Sequence, residues 1–98
     1  MNRALRLTLT LARYPEGDRW TWTLHSGRHI VSTSGGQLFT RRVDAARGAE
    51  VGAGLEGVCA RLAGKATRAG DVGYAVRWTD GPEWVVVPVA VVDARGES

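Results

Sequence analysis

The sequence predicts an α+β domain, an antiparallel β-sheet in the order β-β-β-α-β-β with one long helix packed across one face. Three observations carry this. Residues 3–13, 19–25 and 72–78 alternate between apolar side chains and polar or small ones, the period-2 signature of strands with one buried face. Clusters of Pro, Gly, Asp and Ser punctuate these runs as turns do. From about residue 41 to about 63 the apolar spacing lengthens to three or four, the pattern of a helix lying on a core.

Taken in order, Leu5, Leu7, Leu9 and Leu11 share one face of the first strand, and Arg6, Thr8 and Thr10 the other. Tyr14-Pro15-Glu16-Gly17-Asp18 is a turn by composition. Trp20, Trp22 and Leu24 then alternate with Arg19, Thr21, Thr23 and His25. Ser26-Gly27 is a hairpin signal, and the returning strand carries Ile30 and Val31 before Ser34-Gly35-Gly36 ends it.

Thr40 is the expected N-cap of the helix, its hydroxyl accepting from a free first-turn N–H. The expected apolar stripe is Val43, Ala46, Val51, Leu55, Val58 and Leu62, with Gly64 or Gly70 as the stop. Ala45, Ala49, Ala53 and Gly57 recur every four residues as a ridge without bulk, suited to close approach by the protein's own sheet or by a second subunit. Gly48, Gly52, Gly54 and Gly57 each cost up to about 1 kcal/mol against Ala in a helix interior.

Val72, Tyr74, Val76 and Trp78 alternate with Gly73, Ala75 and Arg77, and residues 79–83 turn the chain. Residues 84–92, WVVVPVAVV, are apolar on both faces, so both faces are expected to be covered. Pro88 cannot donate to a ladder, which places this strand at a sheet edge, with a second subunit as the economical cover.

A chain of 98 residues makes one domain and buries roughly two-thirds of its unfolded surface. Residues 18–64 form the expected ββα core and 72–92 a C-terminal hairpin. One cysteine, Cys59, allows no intrachain disulfide. Alternation at the start does not fit a signal peptide, and no apolar run approaches the roughly 18 residues that span a bilayer. The expected location is therefore cytoplasmic, with no membrane partner. Net charge is +3, divided as +5 over residues 1–47 (eight Arg against Glu16, Asp18 and Asp44) and −2 over residues 48–98 (four Arg and one Lys against seven acids).

Trp20, Trp22, Leu24, Gly27, Ile30, Phe39, Thr40, Ala45 and Gly48 together resemble the signature of the YegP-like domain, a small bacterial and archaeal domain of unknown function. That family shows Trp-x-Trp/Phe-x-Leu, an Asn-Gly turn, an Ile-Ala strand, then an aromatic residue and Ser/Thr opening a helix. Here Ser26 replaces the turn Asn, and the loop before Phe39 is about two residues longer. The resemblance covers residues 20–48. It implies a compact α+β unit that pairs through its sheet, and supplies no catalytic residue.

Chemistry-bearing constellations are sparse. His25 and His29 flank the hairpin turn without a third ligand at suitable spacing, so no metal is expected. Cys59 on an apolar stripe reads as a small hydrophobe. Ser34-Gly35-Gly36 fits no phosphate-binding spacing. Asp80 and Glu83 read as solvated turn residues, and no general acid/base pair is visible. No cofactor or enzymatic activity is expected.

Two functional expectations follow. The first is a non-enzymatic protein-interaction module, a homodimer also meeting an unidentified protein partner, of a size that suits a phage or mobile-element factor acting on a host protein. Its expected interface is Trp84, Val85, Val86, Val87 and Val89. The alternative is a nucleic-acid binder using the basic outer sheet face, with Arg6, Arg19, Arg28, Arg41 and Arg42 as contacts.

Overall fold

The computed structural model describes residues 5–58, 72–79 and 81–96. Its elements are β1 (Leu5–Tyr14), β2 (Gly17–Ser26), β3 (His29–Thr33), α1 (Arg42–Ala53), β4 (Leu55–Glu56), β5 (Val72–Thr79) and β6 (Trp84–Arg95). They form the α+β fold that the sequence predicts, with α1 packed against a six-stranded sheet in the order β3-β2-β1-β6-β5-β4.

The sheet is mixed rather than wholly antiparallel. β1, β2 and β3 pair antiparallel, as do β4, β5 and β6, but β1 and β6 join the halves in parallel, with Leu5 beside Val89 and Leu9 beside Asp93. A parallel pair needs a crossover rather than a hairpin. From β3 at one edge the chain passes through α1 to β4 at the other, then walks inward so that β6 lands beside β1.

This topology corrects the edge assignment of residues 84–92. β6 lies in the sheet interior, between β1 and β5. Pro88 sits opposite Ala75 of β5, and because a strand residue turns its N–H toward one neighbour only, the missing donor costs at most a single ladder bond. Val87 and Val89, expected at an interface, are 4% and 0% exposed and belong to the core. Val86, one residue away on the opposite face, is 69% exposed.

The core is built by period-2 alternation. Leu5, Leu7 and Leu9 of β1, Trp22 and Leu24 of β2, Val76 and Trp78 of β5, and Val87, Val89 and Val91 of β6 are buried on one face. Helix α1 covers that face with Ala45, Ala46 and Ala49, all buried. The small-residue ridge therefore meets the protein's own sheet, which supplies the bulk.

Helix α1 is shorter than expected. Gly54 takes the left-handed conformation (φ +73°), and its N–H donates to the Glu50 carbonyl, a glycine C-cap that stops the helix. Leu55 and Glu56 then pair with Trp78 and Arg77 as β4, so Leu55 is a buried strand residue rather than part of a helical stripe. Val51, also placed on that stripe, is 83% exposed. Nor does Thr40 cap the helix. The N-cap position is Arg41, with no side-chain cap bond, and Arg41 instead reaches forward to Asp44. Cys59, Leu62, Gly64, Gly70 and Asp80 lie outside the described residues.

Two helical glycines are explained by aromatic rings. A Cβ on Gly52 would sit 2.8 Å from Trp22 Cζ2, and one on Gly48 2.5 Å from Phe39 Cζ. Trp22 is buried and cannot yield, whereas Phe39 is only partly buried. Alanine in a helix interior gains roughly 0.5–1 kcal/mol over glycine, while overpacking a core costs typically about 1–3 kcal/mol. Gly52→Ala is therefore expected to lower stability by about 1 kcal/mol in a denaturant melt, and Gly48→Ala to lie closer to neutral because the Phe39 ring can tilt.

Candidate functional site

The chain leaving β3 builds an open concavity. Thr33 Oγ1 accepts from the Gly35 N–H at 3.0 Å, and the Gln37 N–H donates to the Ser34 carbonyl at 3.1 Å, closing a turn with Gly35 at φ +62°. Ser34 Oγ accepts from the Trp22 N–H at 3.3 Å. The chain then returns to β2, where Phe39 and Trp20 exchange backbone hydrogen bonds at 2.7 and 2.9 Å. The Ser34-Gly35-Gly36 stretch is thus a turn that pins the loop to β2.

That loop faces α1 across an open groove of about 630 Å³. Trp22 and Phe39 line it from the sheet side with Leu38, and Gly48, Val51 and Gly52 from the helix. Because Gly48 and Gly52 carry no side chain, the two rings lie directly on the helix backbone. Leu38 and Val51 leave much of their surface to solvent. Asp44 and Arg47 are the charged lining residues. Arg41 Nε and Nη2 donate to the two Asp44 carboxylate oxygens at 3.1 and 3.3 Å. That paired bond holds the Asp44 carboxyl below the usual carboxylate range.

Beside the groove, β3 is an edge strand. It pairs with β2 on one side, and among the described residues nothing pairs on the other. Its register with β2 breaks between Ile30 and Ser32, leaving Val31 as a bulge. Ile30 and Val31 are 61% and 42% exposed. An unpaired row of N–H and C=O groups carrying exposed aliphatics is a template for another strand.

Of the expected interface, Trp84, Val85 and Val86 remain on the surface. The Arg77 guanidinium stacks over the Trp84 ring at 5.3 Å from its centroid and lies 3.6 Å from Glu56.

The five arginines of the nucleic-acid alternative do not converge. Arg6 lies on the outer face of β1, opposite His25. Arg19 folds onto its own turn, donating to the Asp18 and Glu16 carbonyls at 2.9 and 3.5 Å. Arg28 sits in the β2–β3 turn. Arg41 is held by Asp44, and Arg42 Nε is 2.8 Å from Asp93 Oδ1, on the helix side of the sheet. His25 and His29 occupy β2 and β3, with His29 opposite Ser26.

The groove was hidden from the sequence because its walls come from β2, the 34–40 loop and α1, which no local pattern links. Phe39, Gly48 and Gly52 were its signal. An aromatic followed by glycines at helical spacing marks a ring resting on a helix. Comparison with known protein families, curated proteins and solved structures finds no match. Among the described residues no helix is long and apolar enough to cross a membrane.

Proposed function

We propose that this protein is a non-enzymatic interaction module that takes up an extended segment of a partner protein as an added strand on β3, with a side chain of that segment seated in the groove against α1. One observation carries the reading. The aromatic-floored groove opens at Thr33, the last residue of the unpaired edge strand, so a segment paired with β3 and continuing past Thr33 would reach Leu38, Phe39 and Val51. Strand addition draws affinity from main-chain hydrogen bonds and specificity from pockets for alternate side chains. The homodimer expected from the sequence now rests on Trp84, Val85 and Val86 alone, because Val87 and Val89 are core residues.

The test is selection from a displayed library of random decapeptides, with Val31→Pro as the counter-selecting protein. Val31 is the bulged residue and matches no residue of β2, so proline there breaks no registered pair. Enrichment on the wild type over the variant is expected. Equal recovery on both proteins would contradict strand addition at β3.

A further inference from the structure

We propose that the segment accepted by β3 is acidic, an extended stretch of a different protein in which aliphatic residues alternate with Asp or Glu. This rests on the strand-addition reading above and adds the chemistry of the partner. The groove's lining charges are unequal in effect. Asp44 is neutralised by the two hydrogen bonds from Arg41. Arg47, three residues on, is exposed and makes no hydrogen bond or ion pair among the described residues. Glu50, one turn further along α1, does not line the groove.

At the far end of β3, Arg28 in the hairpin turn is likewise exposed and without a hydrogen bond or ion pair among the described residues. Arg42 of α1 is already committed to Asp93. Two guanidinium groups thus flank the strand-accepting edge, Arg28 with no carboxylate partner among the described residues and Arg47 with only a through-space attraction to Asp44, whose hydrogen bonds go to Arg41. A guanidinium fork matches a carboxylate with two parallel hydrogen bonds, and the match strengthens beside apolar walls that exclude water. A second copy of this chain is the wrong occupant, because symmetric β3–β3 pairing would bring Arg28 and Arg47 of both copies to one seam. The shortness of β3 and its bulge are further obstacles to pairing of identical edges.

Peptides recovered by the library selection decide the matter. Enrichment of Asp or Glu between Val or Ile positions is expected. A fluorescein-labelled peptide of that sequence should bind Arg47→Glu about tenfold more weakly in fluorescence anisotropy, and its Lys-for-Glu counterpart should recover binding to that variant. Circular dichroism checks that Arg47→Glu remains folded. Neutral or basic enriched peptides, or an Arg47→Glu variant that binds as tightly as the wild type, would overturn the acidic assignment and leave strand addition standing. No enrichment over Val31→Pro would remove both. A labelled twelve-nucleotide oligothymidine that binds the wild type and is displaced by no peptide would also overturn it, in favour of a nucleic acid.

Discussion

Val87→Asp should unfold this protein, while Val86→Asp, one residue earlier, should leave it intact. Val87 is 4% exposed and lies opposite Val76 of β5, itself 1% exposed. An aspartate there would be a buried charge with no cation to meet it. Such changes belong to the small class costing about 4 kcal/mol or more. For a domain this size each kcal/mol shifts Tm by about 4–8 °C, so a fall of at least about 16 °C is expected in a thermal melt. Val86 is 69% exposed on the opposite face, and Asp there should cost within about 1 kcal/mol, mostly lost strand propensity. Mass by light scattering on the folded Val86→Asp variant also tests the homodimer. A drop from dimer to monomer would place an interface at Trp84–Val86, and an unchanged mass would remove that patch as a dimer contact.

The second large effect concerns binding. Val51→Gln should abolish most peptide affinity without harming the fold. Val51 is 83% exposed on α1 and forms one wall of the groove. Glutamine is a better helix former than valine, so stability should hold or rise slightly. Covering a valine side chain contributes roughly 1.5–3 kcal/mol, and 1.4 kcal/mol is tenfold in affinity, so a loss of about tenfold or more is expected by anisotropy. Unchanged affinity would mean that the bound segment does not enter the groove.

Much of the fold was legible in the residues, and the reason is local. Alternation along Leu5–Leu11 and Trp20–Leu24 assigns both strands and their buried face, because side chains on a strand point alternately to the two sides of the sheet. Direction and neighbours are not local properties. The parallel pairing of β1 with β6 depends on α1 carrying the chain across the sheet, and nothing within WVVVPVAVV encodes it. Pro88 was the misleading signal. Its missing N–H removes at most one ladder bond, a loss that burial of Val87, Val89 and Val91 outweighs inside the sheet. The helix end was misread because Gly54 is one of four glycines, and only its left-handed φ marks it as the stop. The candidate site was the least legible part. Arg19, Arg41 and Arg42 are engaged within the fold, while Arg47, absent from the sequence-based set, is the cation in the groove.

The most direct test of strand addition at β3 is an amide NMR titration of the 15N-labelled protein with a library-selected peptide, followed by amide hydrogen exchange of the complex. The largest shifts are expected at residues 29–33 and at Arg47–Gly52, with new exchange protection on the free side of β3. Shifts confined to Trp84–Val86 or to the outer sheet face around Arg6 and His25, with β3 amides exchanging as before, would contradict it.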